Sequence, residues 1–240
     1  MIKFVDKFWG KKIGRKETNF DELKIEPVII IDRKHKDTFI IFMPNGTFSI
    51  RLLRRRFIPK SGNVIIFRFP TEILSSELIK FKKMFEEYYK KALSLVRKRK
   101  INKNNLIIIG ISLGSSPAYL LANNYGCKKI ITVAPVCNIP NETENSVDSK
   151  LLLKETIKKG FTKKRIREEL LKISPLNNYK NINGEIEMYL GAHDYIVPSD
   201  DSQKLAKKMK KEGKKVKVKI YPHWGHVLTI LSFNIKKINL

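Results

Sequence analysis

Short apolar runs alternate with longer amphipathic segments along most of the chain. Seven runs are rich in β-branched and aromatic residues or alternate apolar with polar positions, which predicts strands. They lie at 27–31, 38–43, 63–69, 106–109, 130–134, 185–190 and 216–221. Apolar residues spaced three and four apart predict helices between them. These lie at 72–98, 116–125, 202–211 and 227–238. The alternation predicts an α/β fold, with a mostly parallel central sheet and helices on both faces.

Three segments depart from this alternation. Polar residues 32–37 join the first two apolar runs, which predicts a β-hairpin, and 49–57 is predicted to be a short basic helix. Residues 138–173 contain polar turns and then helical patterns around 147–159 and 163–173. We interpret 138–173 as a small helical cap inserted into a single domain that spans residues 1–240, a length that suits one domain.

The chain is strongly basic, with 49 Lys and Arg residues against 23 Asp and Glu residues and a formal net charge of +26. A charge of this size could attract nucleic acid or an anionic membrane. The lysines are spread over the whole chain rather than gathered in one motif. This distribution favours a compositional bias, and nucleic acid is not expected as the main partner.

The N-terminal residues Ile2, Val5, Trp9 and Ile13 would share one face of a helix surrounded by lysines. Such a helix could rest on an anionic membrane or pack on the sheet, and the sequence leaves both open. No apolar run approaches the roughly 20 residues that cross a bilayer, and the N-terminus lacks the pattern of a secretory signal. We expect a cytoplasmic protein, with peripheral membrane contact as the open alternative.

Two cysteines, Cys127 and Cys137, flank the run 129–136. If that run is a strand rising about 3.3 Å per residue, the thiols lie at its opposite ends. A disulfide requires Cα atoms within about 7 Å of each other. No disulfide is therefore predicted, in agreement with a reducing compartment.

The segment Gly110-Ile-Ser112-Leu-Gly114 carries the strongest chemical signal. It fits the pattern G-x-S-x-G and lies between an apolar strand and a predicted helix, where this motif forms a sharp turn that exposes the serine hydroxyl. Small residues two positions before and after the serine avoid collisions in that turn. The helix that follows directs free N–H groups to the same place. The pattern favours Ser112 as a nucleophile over a serine that only caps a helix.

A serine nucleophile requires a base, and the base requires an orienting carboxylate. His226 follows the predicted strand 216–221, and Asp194 follows the strand 185–190. Ligands of open α/β sheets bind at the carboxyl ends of strands, where Ser112 is also expected. We therefore predict Ser112 as nucleophile, His226 as general base and Asp194 as the acid that orients the histidine.

Other residues compete for these roles. His223 is an alternative base. Asp148, Asp200 and Asp201 are alternative acids, although Asp200 and Asp201 stand where N-terminal helix caps are expected. Cys137 ends a predicted strand and is an alternative nucleophile, but it lacks a matching turn.

A metal site is a further alternative. The residues concerned are His193, Asp194, His223 and His226. Their spacing is not one of the strong zinc patterns and no cysteine is near them in the sequence, so no metal is predicted.

From about residue 25 to its end, the chain resembles the α/β-hydrolase superfamily of serine esterases, lipases and acyl hydrolases. Gly110–Gly114 resembles the nucleophile elbow of that family, and 191–198 resembles its G-x-x-D-x-x-V-P acid loop. Gly225-His226 is similar to its histidine loop. Ser174–Tyr179 resembles the segment that returns from the cap to the core.

The resemblance also implies an oxyanion hole. Residues 42–47 take the place of the family's oxyanion loop, with Asn45 where a histidine is usual. By this resemblance, the backbone N–H groups of Thr47 and Leu113 would bind the oxyanion. One such donor is worth roughly 3 kcal/mol.

These residues predict a serine hydrolase that cleaves a carboxylic ester or thioester of a small or apolar acyl group, with a small-molecule substrate and no cofactor. Apolar cap residues would shape the acyl pocket. They are Val147, Leu151, Leu152, Leu153 and Ile157. Two alternatives stay open: a serine peptidase of the same fold, and a non-catalytic basic protein that binds an anionic membrane or nucleic acid. The sequence does not predict an oligomeric state.

Overall fold

The computed structural model describes residues 25–44, 56–69, 78–145 and 147–237. Within these ranges, seven strands form one sheet in the order β1-β3-β2-β4-β5-β6-β7. β1 is antiparallel to β3, and every other neighbouring pair is parallel. The strands are β1 Ile29–Ile31, β2 Thr38–Pro44, β3 Asn63–Phe69, β4 Leu106–Ile111, β5 Lys129–Val133, β6 Glu185–Gly191 and β7 Val216–Tyr221. The predicted α/β fold with a mostly parallel sheet is confirmed.

Seven α-helices lie in the same described ranges. They are α1 Leu78–Lys98, α2 Ser115–Tyr125, α3 Ile139–Asn145, α4 Val147–Lys158, α5 Lys163–Leu171, α6 Asp200–Lys211 and α7 His226–Ser232. The start of the first predicted helix, 72–77, and most of the predicted basic helix 49–57 lie outside the described residues, as does the N-terminal segment 1–24. None of the described helices is long and apolar enough to cross a bilayer.

The sheet is buried on both faces because alternate side chains of its central strands enter two cores. Ile40 and Phe42 of β2 pack in a core that includes residues of α1, α2 and α6. Phe39, Ile41 and Met43 pack in a second core with Ile230 of α7. Burial on both faces explains why these strands are continuous apolar runs rather than alternating ones.

The predicted hairpin between the first two strands is wrong. β1 pairs with β3, while β2 lies between β3 and β4. The side chain of Asn63, at the start of β3, accepts a hydrogen bond from Arg33 N (2.8 Å) and donates one to His35 O (2.6 Å). The 32–37 connection is thus held against the start of β3. A strand as apolar as β2 is stabilised by having a neighbour on each side.

The end of one helix and the presence of another also differ from the prediction. α7 ends at Ser232 rather than continuing to 238, because Phe233 turns into the core and packs its ring against Tyr189 and Phe57, with centroid distances of 5.2 and 5.7 Å. α3 forms where polar turns were expected. Its residues Ile139 and Thr143 are buried, so packing stabilises a segment of low intrinsic helix propensity.

The three helices α3, α4 and α5 occupy the predicted insertion between β5 and β6. Ser174 connects the two ends of this insertion by hydrogen bonds. Its Oγ donates to Leu170 O near the end of α5 (2.8 Å) and accepts from Ile139 N at the start of α3 (3.2 Å). An ion pair between Lys82 and Glu169 (2.6 Å) joins α5 to α1. A role for the insertion as a cap stays a prediction.

Candidate active site

Ser112 lies where β4 ends and the chain turns into α2. Its φ of 52° is in the left-handed region, a conformation that costs a non-glycine residue roughly 1–3 kcal/mol. Ser115 holds this turn: its Oγ donates to Ser112 O (2.7 Å) and accepts from Val136 N (3.2 Å). The strained turn is therefore fixed by buried hydrogen bonds.

The two glycines of the motif are required by close packing. A Cβ atom on Gly110 would lie 2.7 Å from Ser115 Cα, and one on Gly114 would lie 2.2 Å from the carbonyl oxygen of Phe42. Both distances are well below van der Waals contact with backbone atoms. Gly114 thus lets the turn approach β2, and Gly110 lets α2 start close to β4.

His226 connects the serine to the acid. Its Nε2 lies 2.9 Å from Ser112 Oγ, and its Nδ1 lies 2.8 Å from Asp194 Oδ2. Each of the three residues is at most 7% exposed. The structure thus brings together the three residues predicted as nucleophile, base and acid, in a continuous chain of hydrogen bonds shielded from water.

Asp194 is fixed by its own loop. Its Oδ1 accepts hydrogen bonds from the backbone N–H groups of Ile196 (3.1 Å) and Val197 (2.8 Å). The second oxygen is thereby left to His226. This arrangement explains why the acid needs a short side chain at this position of the loop after β6.

Backbone hydrogen bonds join the acid loop to the histidine loop. Ala192 N donates to Tyr221 O (3.0 Å), and His193 N donates to Trp224 O (3.1 Å). The rings of Tyr221 and Trp224 stack with a centroid distance of 3.9 Å. Because these contacts continue the pairing of β6 with β7, they set the position of His226 relative to Asp194.

The competing base and acids lie elsewhere. His223 is exposed, and its ring stacks on that of His193 with a centroid distance of 6.3 Å. The expectation that Asp200 and Asp201 cap α6 is wrong, because Ser199 is the N-cap residue and both aspartates lie in the first turn. Asp201 instead accepts a hydrogen bond from Asn141 Nδ2 (2.6 Å). The side chain of Asp148 is outside the described residues.

Both cysteines are buried free thiols. Burial raises the pKa of Cys127 to about 12 and that of Cys137 to about 12. The Sγ of Cys137 accepts a hydrogen bond from Ser202 Oγ (3.3 Å). Since the thiolate is the reactive form, this environment does not suit a nucleophile.

The predicted oxyanion donors are only partly described. Leu113 follows Ser112 in a 3₁₀ turn that leads into α2, where the first N–H groups have no partner within the helix. Thr47 lies outside the described residues, and β2, which leads towards it, ends at Pro44. Within the described ranges, no group of three or more His, Cys, Asp or Glu residues is arranged to hold a metal ion.

The structure adds a carboxyl that the sequence reasoning missed. Glu142 lies half-buried on α3. Burial raises the pKa of Glu142 to about 7, with smaller contributions in the same direction from Asp201 and Asp194, while His226 lowers it. The sequence carries no signal for it, because its place at the site depends on α3, which forms where polar turns were expected.

The fold and the hydrogen-bonded Ser112, His226 and Asp194 have the arrangement of the α/β-hydrolase superfamily. Residues 80–238, about two thirds of the chain, match the prolyl oligopeptidase family. The chain belongs to that family. A search of curated proteins by sequence finds no match.

Solved structures share this fold. An acylaminoacyl peptidase from Pyrococcus horikoshii is 18% identical with a TM-score of 0.60, over 85% of this chain and 36% of that one. A puromycin-hydrolyzing peptidase from Mycobacterium tuberculosis is 16% identical with a TM-score of 0.59, over 88% and 33%. The esterase Est2 from Thermogutta terrifontis is 15% identical with a TM-score of 0.56, over 84% and 76%. This chain therefore spans about a third of the length of the two peptidases.

Proposed function

We propose that the protein hydrolyses carboxylic esters or thioesters of small or apolar acyl groups through an acyl-enzyme on Ser112. The observation that carries this proposal is the pair of distances at His226, 2.9 Å to Ser112 Oγ and 2.8 Å to Asp194 Oδ2. They are hydrogen-bond distances at which a histidine can take a proton from the serine hydroxyl as it attacks.

In the proposed reaction, Ser112 Oγ attacks the substrate carbonyl while His226 Nε2 accepts its proton. The tetrahedral intermediate collapses, and the imidazolium of His226 gives that proton to the leaving group. Water then attacks the acyl-enzyme, with His226 acting again as base, and releases the carboxylic acid and free Ser112. Asp194 keeps the histidine oriented and stabilises its positive charge.

The oxyanion of each intermediate needs donors beside Ser112. We assign the N–H of Leu113 as one donor because it follows the nucleophile at the start of a helical turn, where the N–H groups are free and the helix dipole favours negative charge. The N–H of Thr47 is the proposed second donor. Preorganised donors of this kind contribute roughly 3 kcal/mol each to stabilisation of the transition state.

Peptide hydrolysis is the second candidate. Membership of the prolyl oligopeptidase family favours it, as do the two structurally similar proteins described as peptidases. The esterase from Thermogutta terrifontis supports ester hydrolysis, and this chain covers most of that protein. The same serine, histidine and aspartate could serve either reaction, since both proceed by acyl transfer to Ser112.

Steady-state hydrolysis of matched substrates tests the proposal. p-Nitrophenyl butyrate and butyryl p-nitroanilide share an acyl group and differ in the bond that is cleaved. We expect wild-type protein to cleave the ester, Ser112→Ala and His226→Ala to lose that activity, and His223→Ala, an exposed neighbour on the same loop, to keep it. A kcat/KM for the anilide that equals or exceeds that for the ester would replace the ester proposal with the peptidase one. Folded wild-type protein that cleaves neither substrate would contradict both.

A further inference from the structure

A small cavity of about 220 Å³ opens between the insertion and the loop that carries Asp194. Its walls come from α3, the acid loop and the start of α6. The residues that line the cavity include Glu142, Ile196, Asp200, Asp201 and Lys204. Pockets for drug-sized ligands measure roughly 300–1,000 Å³. This cavity is therefore suited to a single group of the size of a side chain.

Glu142 in the wall of this cavity has no ion-pair partner among the residues that the structure describes. Within the described ranges, its half-buried carboxyl makes no hydrogen bond or ion pair. Burial, Asp201 and Asp194 raise the pKa of Glu142 to about 7, and the opposing effect of His226 is smaller. A partly buried carboxylate in acidic surroundings is unfavourable unless a cation compensates it.

Two described cations, Lys204 and Arg167, pair with carboxylates other than Glu142. Lys204, which lines the cavity, is 77% exposed and lies 3.8 Å from Asp201 Oδ1. Glu144, two residues further along α3, is exposed and pairs with Arg167 at 3.3 Å. Arg167 is thus engaged by a different carboxylate.

Glu142 also lies close enough to the catalytic residues to interact with them. His226 lowers the pKa of Glu142, and Asp194 raises it. Ile196 links the two places directly, because it lines the cavity and its N–H holds the carboxylate of Asp194 (3.1 Å). The cavity therefore lies beside the acid that contacts Ser112 through His226.

We propose that Glu142 selects substrates with a positively charged group, an ammonium or guanidinium on an otherwise apolar chain, which enters this cavity while the carbonyl lies at Ser112. The inference rests on the proposed hydrolase function and adds the substrate class. A charge-assisted hydrogen bond with the substrate cation supplies the partner that Glu142 lacks among the described residues. Asp200 and Asp201 add negative potential at the same opening.

Binding of a cation is tested without relying on catalysis. Benzamidinium and its neutral analogue benzamide are titrated calorimetrically at pH 8, where Glu142 is ionised. The titrations use wild-type protein, Ser112→Ala, Glu142→Gln and the matched control Glu144→Gln. We expect benzamidinium to bind wild type, Ser112→Ala and Glu144→Gln about tenfold more tightly than benzamide, and this preference to vanish in Glu142→Gln. Equal affinity of wild type for the two probes, or an unchanged preference in Glu142→Gln, would overturn the proposal.

A kinetic comparison separates this inference from the proposed function. p-Nitrophenyl 6-aminohexanoate and p-nitrophenyl heptanoate differ by an ammonium in place of a methyl group. We expect wild type to favour the amino ester by about tenfold in kcat/KM, mainly through KM, and Glu142→Gln to lose the preference while it still cleaves the heptanoate. Cleavage of both esters at equal rates would leave the hydrolase proposal intact and refute the cation selectivity. Benzamidinium binding that depends on Glu142, without cleavage of either ester, would support the cation site and contradict the hydrolase proposal.

Discussion

Asp194 Oδ2 lies 2.8 Å from Nδ1 of His226, the ring nitrogen that does not face Ser112. An ionised carboxylate can only accept this hydrogen bond, so the contact places the proton of the neutral imidazole on Nδ1. Nε2 is then an acceptor for the proton of Ser112 Oγ. The relationship between Asp194 and His226 thus determines which ring nitrogen acts as the base.

The Asp194→Asn variant tests this relationship. The amide oxygen can still accept from Ile196 and Val197, so the loop is expected to fold, but the amide nitrogen faces the ring and favours the wrong tautomer. We expect kcat/KM for the ester to fall by about 10³–10⁴-fold, with little change in thermal stability. Asp200→Asn, an exposed aspartate on the adjoining helix, is the control. A loss of less than tenfold in Asp194→Asn would contradict the role given to this carboxylate.

Gly114→Ala tests the packing of the elbow. The new methyl group would press on the carbonyl of Phe42 in β2, where a Cβ would lie at 2.2 Å. We expect the free energy of unfolding to drop by about 1–3 kcal/mol and ester hydrolysis to fall sharply, because either the turn or β2 must shift.

Gly160→Ala is the matched control. Its φ is positive, at 89°, whereas that of Gly114 is −63°, and a Cβ on Gly160 would meet nothing within 4 Å. The Gly160→Ala substitution should lower the free energy of unfolding through backbone strain alone and leave ester hydrolysis unchanged. Equal activity of Gly114→Ala and Gly160→Ala would show that the close approach to β2 does not matter for the site.

Glu142 predicts a particular dependence of stability on pH. Its pKa is raised from 4.5 to about 7 in the folded protein, so the folded state holds this proton more tightly than the unfolded chain. The stability that the protonated carboxyl contributes is fully present below pH 4.5 and is lost as pH rises through about 7. Glutamine mimics the protonated form. Glu142→Gln should therefore be more stable than wild type at pH 8, by about 1–2 kcal/mol after allowance for solvent screening, and equally stable near pH 4.5. Urea unfolding at the two pH values measures this difference, and a variant that is less stable at pH 8 would contradict it.

Thiol reactivity tests the alternative nucleophile. With burial raising the pKa of both Cys127 and Cys137 to about 12, alkylation by iodoacetamide at pH 8 should be on the order of 10³-fold slower than for an exposed cysteine. Both thiols should react rapidly once urea unfolds the protein. Fast labelling of native Cys137, with loss of ester hydrolysis, would be inconsistent with a serine mechanism that is independent of this thiol.

Much of the sheet follows from the sequence because strands buried on both faces need continuous apolar runs, as in 38–43 and 106–109. The pairing of strands does not follow so directly. The run 27–31 looks like a hairpin partner of β2, yet β1, which forms within it, pairs with β3. Adjacency in a sheet depends on which strands need neighbours on both sides, and a linear pattern does not contain that information.

The site was predictable where chemistry restricts the residue type. A strained turn after a buried strand identifies Ser112, and only a histidine and a carboxylate at other strand ends can complete the arrangement. Glu142 was not predictable, because its proximity to Asp194 and His226 depends on how α3 packs after β5. The same holds for Ser115, whose hydroxyl holds the turn through a contact with Val136, far along the chain.

The most direct test of the central claim is reaction of the native protein with a fluorophosphonate, followed by mass spectrometry of the intact protein and its peptides. We expect one adduct per chain, located on Ser112, that is absent in Ser112→Ala and much reduced in His226→Ala. An adduct on another residue, or no adduct on folded wild-type protein, would contradict the assignment of Ser112 as the nucleophile.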